Sequence, residues 1–304
     1  MRVLFVAKHD SGDNDDEGAI AHAFRELGHE VECLQEQRWK RTKLLASCEA
    51  DFCLFLKWPT VSELIETSKR MPCFFYYFDM VESVEGDPSL RTRSLSRVQW
   101  MFDVMPHIKL GFCTDGDWVA KMGGPLRHLM QGFDGRKACL LERSVASMAP
   151  QVLFTGMVNH GCKRVEHIER LKAKYGENFI IVGNRGPRGR VHGRELAQVF
   201  ASTKVVVAPD GPSTDRYWSN RVYLTTGLGG FIVHPYCAGL AEQYPQSILP
   251  MYVDRDQCEE YVDLYLSNDS LREAHRRLQH EYTLSRHLYR HRVEEMLKQM
   301  KEAM

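Results

Sequence analysis

The sequence predicts an α/β protein built from two doubly wound, Rossmann-like domains that face each other across a cleft. Two observations carry that prediction. Short apolar runs suited to buried strands alternate with longer runs of helical period, and the alternation comes in two successive series of similar size. Between the series, residues 136–149 are mixed in character and contain no strong strand, so a domain boundary is placed near residue 147. At 304 residues the chain is long enough for two domains of ordinary size.

The first series opens with a strand over 3–7, the loop KHDSGDNDDEG, a helix over 19–27 and a strand over 29–34, a unit that normally closes a right-handed parallel crossover. Strands over 51–56 and 73–78 flank a helix over 61–69, and a strand over 110–114 precedes a helix over 117–122. Residues 126–130 then lead into the turn QGFD. In the second series the strands are 152–157, 179–182 and 205–208, with helices over 162–175 and 194–201. The turns after the first two of these strands, TGMVNHG and VGNRGPRGRVHG, are rich in glycine and polar residues, a composition that lets a ligand approach the backbone. From 256 to the end the pattern is helical.

The stretch STDRYWSNRVYLTTGLGGFIVHPYCAGL, residues 213–240, is the most informative. Polar and aromatic residues lead into a helix expected to start near Ser219. Gly227, Gly229 and Gly230 then stop the helix, and a buried strand over 231–234 follows. A helix start of this kind presents unpaired backbone N–H groups and the positive end of the dipole, and Arg216 and Arg221 add full charges, a setting that suits a diphosphate. The same pattern also fits a helix that merely packs on its sheet.

Composition removes several classes. Forty basic and forty acidic residues leave no net charge to favour a polyanionic partner, so local clusters must decide that point. Nine scattered cysteines without a CxxC pair fit reduced, mostly buried thiols of a cytoplasmic protein better than disulfides or a zinc site. No signal-peptide core and no run of membrane-spanning length is present. Neither Gly-rich turn is a Walker loop or a dinucleotide GxGxxG, and the thirteen histidines show no HExxH spacing.

Candidate catalytic residues come from the ends of first-series strands, where open α/β sheets place their ligands. Asp79 closes FFYYFD, and its aromatic neighbours are expected to raise its pKa toward that of a general base, although an aspartate there also fits a cap. His9 and Asp10 follow the first strand. The acidic loop containing Asp10, Asp13, Asp15 and Asp16 lacks the EF-hand pattern and reads as solvated.

The segment YWSNRVYLTTGLGGFIVHPYCAGL, with the closing HLYRHRVEEML, resembles the C-terminal half of the CgeB-type, spore-maturation-like glycosyltransferases of GT-B fold, and RHLMQGFD resembles the turn that precedes the second domain in GT-B enzymes. The resemblance is specific over about residues 110–300. It implies an acceptor-side domain over 1–147, a nucleotide-sugar donor domain over 148–283, and a last helix, 284–304, that returns to the first domain. It implies transfer of a hexose or pentose from a nucleoside-diphosphate sugar, UDP-linked, to an acceptor hydroxyl, with no obligatory metal and no other cofactor. By position, Asn220 and Arg221 fall at the donor diphosphate and Gly156 in the first loop of the donor domain. Asn184, Asp215, Arg216, Tyr217 and Ser219 complete the expected donor set. One departure stands out: relatives carry an acidic residue followed by Ala shortly after that Arg, and its carboxylate is expected on the donor ribose. Here those positions are Leu224 and Thr225, so the contact must come from elsewhere, with Asp210 and Asp215 as candidates.

Three rival readings remain at this level. The clusters RWKRTK (38–43), RTRSLSR (91–97), RGPRGR (185–190) and RHLYRHR (286–292) fit a phosphate backbone, which makes a hydroxymethylated base in DNA an acceptor beside small molecules, glycans and proteins. Leu224 favours a non-catalytic sugar- or nucleotide-binding protein that kept the fold. A sugar-nucleotide epimerase is the third.

Overall fold

The computed structural model describes residues 1–9, 16–35, 48–56, 59–81, 88–142, 151–156, 158, 163–183, 191–209 and 214–304, with the side chains of 88–94 and 163 left aside. Its internal contacts form two compact units, one comprising Met1–Val84, Pro88–Gly132 and Tyr289–Met304, the other centred on Phe133–Leu288. The division thus falls at Gly132 and Phe133, upstream of the boundary drawn near 147. Residues 133–142 already belong to the second unit, where the Cys139 N–H donates to the Gly227 carbonyl at 3.3 Å.

In the first unit a parallel six-stranded sheet runs in the order β2-β1-β3-β4-β5-β6, with β1 Arg2–Ala7, β2 Glu30–Gln35, β3 Phe52–Leu56, β4 Cys73–Tyr77, β5 Leu110–Cys113 and β6 Leu126–His128. The central strands β1, β3, β4 and β5 are buried on both faces because helices cover both. Phe5, Leu54, Phe74, Tyr76 and Phe112 pack with Ile20 and Phe24 of α1 (Asp16–Glu26) and with Val293, Met296 and Met300 of the last helix, Tyr289–Ala303. Alternate residues Leu4, Val6, Cys53, Phe55, Phe75 and Tyr77 pack on the other face with Leu64 of α2 (Val61–Ser68), Met101 and Val104 of α3 (Pro88–Val104) and Trp118 of α4 (Gly116–Met122). Helix α2 starts at a capping box, with Thr60 Oγ1 accepting from the Glu63 N–H and Glu63 from the Thr60 N–H.

Helix α3 escapes the sequence pattern for a physical reason. Met101 and Val104 are fully buried, but Leu95 is 65% and Phe102 44% exposed, so its apolar residues do not hold one stripe.

The second unit has a parallel sheet in the order β11-β10-β9-β7-β8, from β7 Val152–Thr155, β8 Phe179–Val182, β9 Val205–Val207, β10 Ile232–Pro235 and β11 Met251–Tyr252. The strand order reverses at β7, whose neighbours are β8 and β9, and such a reversal opens a crevice at the carboxyl ends of the strands. Helices α5 (Lys163–Tyr175), α6 (Gly193–Ser202), α7 (Arg221–Gly227), α8 (Ala238–Gln243), α9 (Arg255–Ser267) and α10 (Asp269–Arg286) complete the described unit; the last helix of the first unit is α11. Helix α7 ends at Gly229, whose φ of +72° and close approach to the Cys139 carbonyl leave no room for a side chain.

Two buried side chains of α10 clamp this region. Gln279, fully buried, accepts from the Ile232 N–H at 3.0 Å and donates to the carbonyls of Ile232 and Ile248 at 3.0 and 3.1 Å. Arg276 donates to the Gly229 carbonyl at 2.7 Å. Phe133 and Leu288 are bridged in parallel, so the unit begins and ends on adjacent backbone.

Most of the cysteines among the described residues are buried, as the composition predicts, while Cys139 is half-buried. Cys48, Cys53, Cys73, Cys113, Cys237 and Cys258 are buried, whereas Cys33 is exposed. No helix among the described residues is long and apolar enough to cross a membrane.

Candidate functional site

A pocket of about 280 Å³ lies at the carboxyl ends of β7 and β8, the position that the strand reversal predicts. Thr155, Gly156, Val182 and Gly183 line it from the strand ends. Val191, His192 and Leu196 line it from the start of α6, and Ser219, Asn220, Arg221 and Leu224 from α7. The strand ends meet closely because both residues past them are glycines. Gly156 has φ +141°, its N–H donates to the Val182 carbonyl at 2.9 Å, and a Cβ at Gly183 would sit 2.0 Å from the Gly156 carbonyl oxygen.

Among the described residues of this wall, Arg221 carries the positive charge. It is 9% exposed, its Nε donates to the Thr155 carbonyl, and its guanidinium carbon lies 5.0 Å from the centroid of the Phe154 ring. A hydrogen bond and a cation–π contact therefore fix a cation at the pocket before any ligand arrives. A Cβ at Gly156 would meet Arg221 Nη2 at 2.7 Å, so glycine is what lets the guanidinium lie over the strand end. Ser219 Oγ accepts from the Arg221 N–H at 3.2 Å and the Ser219 carbonyl from the Val222 N–H at 3.5 Å. The expectation of several unpaired N–H groups at a helix starting near Ser219 is corrected accordingly. The helix starts at Arg221, has seven residues, and spends two of its first donors on Ser219. The pocket's preference for an anion rests on the guanidinium rather than on the dipole.

Ser219, Asn220, Arg221 and Gly156 are brought together in this pocket, and three other expected donor residues are not among its lining. Asp215 and Arg216 are exposed on a turn closed by a Thr214–Tyr217 bridge, with Tyr217 half-buried on the same turn. The Asp215 carbonyl, rather than its carboxylate, has the visible task, accepting from the Gly239 N–H at 2.8 Å and from Cys237 Sγ at 3.1 Å. Asn184 and Asp210 lie outside the described residues. Sequence reasoning missed the apolar wall of Val191 and Leu196 and the exposed ring of His192. The only signal for them was the Gly-rich turn that ends at His192 and Gly193. Leu224 lines the pocket at 37% exposure, so the residue standing where an acid was expected does face the cavity.

In the first unit, Asp79 lies two residues past β4 and is exposed. The burial among aromatics expected for it is absent, because Tyr76, Tyr77 and Phe78 lie in the core while Asp79 points out. His9 follows β1, half-buried. Its N–H donates to Gln35 Oε1 at 2.7 Å, its Nε2 to the Phe5 carbonyl at 3.1 Å, and its ring stands edge-on to Phe5. Asp10, Asp13 and Asp15 lie outside the described residues, whereas Asp16 heads α1 and accepts from Gln131 Nε2 at 3.0 Å. No group of three or more His, Cys, Asp or Glu side chains able to hold a metal ion occurs among the described residues.

Residues 163–298 match the family model described as "Glycosyl transferase-like". Among proteins of curated function, none matches the sequence. Solved structures resemble the whole chain. Sucrose-phosphate synthase from Thermosynechococcus elongatus aligns with a TM-score of 0.68 at 12% identity, covering 100% of both chains. Anabaena Alr3699/HepE in complex with UDP-glucose aligns with a TM-score of 0.64 at 11% identity, over 99% of this chain and 100% of that one. T4 phage BGT in complex with UDP and Mn2+ aligns with a TM-score of 0.60 at 12% identity, over 100% and 99%. At these identities the likeness is one of fold, and the fold is that of the GT-B glycosyltransferases.

Proposed function

We propose that this protein is a glycosyltransferase that moves a sugar from a UDP-linked donor to an acceptor hydroxyl. The observation that carries the reading is Arg221, fixed by the Thr155 carbonyl and the Phe154 ring in the wall of a pocket at the strand reversal of the second unit. The donor diphosphate lies against Arg221, Ser219 and Asn220, over the Gly156 backbone. Val191, Leu196 and Leu224 offer the apolar surface that a nucleobase needs. The UDP and UDP-glucose complexes of fold relatives favour this choice of donor. The CgeB-type resemblance of the C-terminal segment belongs to the same reading.

The chemistry follows from charge. The acceptor oxygen bonds to the anomeric carbon as the bond from that carbon to the diphosphate breaks, and negative charge grows on the leaving oxygens. A preorganised guanidinium stabilises that charge more in the transition state than in the ground state. In an inverting enzyme the acceptor proton goes to a base. Asp79, exposed at the end of β4, is the first candidate and His9 the next, and loss of such a base costs roughly a hundred- to ten-thousandfold in rate. The reaction needs no metal, and the protein works in the cytoplasm.

Of the basic clusters, 286–292 is spent within its own units. Arg286 lies over the Tyr282 ring, Arg290 pairs with Glu294, and Arg292 donates to the Gln131 carbonyl. Clusters 38–43 and 185–190 lie outside the described residues. The acceptor search therefore covers small hydroxylated compounds, glycans, proteins and hydroxymethylated DNA.

The test is a panel of nucleotide sugars followed by thermal shift and by transfer of labelled sugar, with and without chelator. UDP sugars alone should stabilise the protein, by about 2.7 kcal/mol at a hundred times the dissociation constant. Transfer should survive the chelator. Stabilisation without transfer to any acceptor supports the second reading, a nucleotide-sugar-binding protein, which the leucine at 224 favours. Absence of stabilisation by every nucleotide sinks both.

A further inference from the structure

Phe154 carries two guanidinium groups on one ring. The ring is fully buried on β7, and its outer edge reaches the strand end, where a Cβ at Gly156 would meet Phe154 Cζ at 3.2 Å. The guanidinium carbon of Arg221 lies 5.0 Å from the ring centroid, and that of Arg164, in the first turn of α5, lies 5.9 Å from the same centroid. The two arginines are anchored alike. Arg221 Nε donates to the carbonyl of Thr155, the last residue of β7. Arg164 Nε donates at 2.8 Å to the carbonyl of Pro209, just past β9. Each side chain thus spends its Nε–H on backbone at the carboxyl end of a strand, and β7 and β9 are neighbours in the sheet.

The order along this edge gives the second arginine its meaning. From β8 toward β9 the sheet presents the aliphatic wall of Val182, Val191 and Leu196, then Arg221 at the end of β7, then Arg164 at the end of β9. Neighbouring strands are about 4.8 Å apart, a step that two long side chains on a shared ring close readily. Two cations held within 6 Å of one ring centroid gain from an anion that spans them. A single phosphate on Arg221 does not span them, whereas a diphosphate that runs from the aliphatic wall toward β9 does.

We propose that Arg164 holds the outer phosphate of the donor, the one that carries the sugar, and so makes this site select a nucleoside diphosphate over a nucleoside monophosphate. The inference rests on the reading of the pocket as a nucleotide-sugar site and adds the residue that reads the second phosphate. Arg221 serves the inner phosphate beside the nucleoside. Arg164 is not among the residues that line the 280 Å³ cavity, and it stands next to it on the β9 side, where a diphosphate extends beyond that cavity. A guanidinium fixed through Nε keeps its fork of N–H donors in one plane, the geometry that suits phosphate oxygens. Because the anchor exists before the ligand arrives, little side-chain freedom is lost on binding. A purely structural Arg164, pinning α5 to the end of β9, would affect stability and leave the comparison of one phosphate with two unchanged.

The experiment titrates UDP and UMP into the full-length protein by calorimetry, in the wild type, Arg164→Met and Arg221→Met, with the thermal midpoint of each recorded. The wild type should bind UDP about ten- to a hundredfold more tightly than UMP, the worth of one charge-assisted hydrogen bond. Arg164→Met should bring UDP down to the level of UMP and leave UMP as it was, whereas Arg221→Met should weaken both. Three results would overturn the proposal while the pocket reading stands: a wild type that binds UMP as tightly as UDP, an Arg164→Met variant that keeps the wild-type ratio, or one that weakens both nucleotides alike. Binding of neither nucleotide to the wild type would remove the pocket reading itself, and this inference with it. If Arg164→Met fails to fold, Arg164→Gln, which is also neutral and still able to donate to a carbonyl, carries the same comparison.

Discussion

Replacing Gly156 by Ala probes the link between backbone and cation in the second unit. With φ at +141°, any residue but glycine is strained there, a cost on the order of 1–3 kcal/mol. The new Cβ would lie 2.7 Å from Arg221 Nη2 and 3.2 Å from Phe154 Cζ. A guanidinium at the tip of a long side chain normally yields, but this one is bound to the Thr155 carbonyl and stacked on Phe154, so yielding gives up both contacts. The variant should therefore melt about 4–8 °C lower for a loss of ~2 kcal/mol in a unit of this size. It should also bind UDP roughly ten- to a hundredfold more weakly, the worth of one displaced charge-assisted hydrogen bond. Gly176→Ala is the control: φ there is +55°, and nothing lies within 4 Å of the new methyl group. It should lose about 1–2 kcal/mol of stability and no affinity. Calorimetric melting and titration with UDP measure both quantities. If Gly156→Ala behaved as Gly176→Ala does, the claim that this glycine positions Arg221 would be refuted.

Two further predictions concern stability. Gln279→Leu should cost about 3 kcal/mol or more by urea denaturation, because it strands the Ile232 N–H and the Ile232 and Ile248 carbonyls in the core, each worth roughly 1–3 kcal/mol when left unmade. His167, 6% exposed against the Tyr252 ring, has its pKa pushed down to about 4, first by burial and then by Arg255 and Arg170. The sign follows from proton uptake. Below the ordinary histidine pKa of about 6.5 the unfolded chain binds a proton that the native site refuses. Stability is therefore lost as pH falls from that value to about 4, in total on the order of 3 kcal/mol. His167→Phe should remove this slope from the pH dependence of the denaturation midpoint.

Much of the architecture was legible because both sheets are buried on two faces. FCLFL and CFFYY can hardly be anything but interior strands, and VLFT, FIIV and VVV mark the second sheet in the same way. Helix α3 was not legible, since its apolar residues fall on more than one face. Strand β11, two residues long, was missed because so short a run has no period. At the site, glycine at 156 and arginine at 221 could be read from sequence because one permits and the other supplies something no neighbour can. The roles of Arg216 and Asp215 could not be read. Charge and position suggested a ligand, and only the folded turn shows that these side chains are exposed while the Asp215 backbone holds the start of α8. Val191 and Leu196 join the pocket through tertiary approach, which no local spacing records.

The central claim is that Arg221 holds the diphosphate of a nucleotide in the pocket of the second unit. Titration calorimetry of UDP into the wild type and into Arg221→Met, whose side chain keeps the packing on Phe154 but carries no charge, tests it most directly. Loss of a charge-assisted hydrogen bond predicts that affinity falls about ten- to a hundredfold, with the thermal midpoint of the variant recorded to confirm that it is folded. Equal affinity in a folded Arg221→Met, or no binding of UDP to the wild type, would contradict the account.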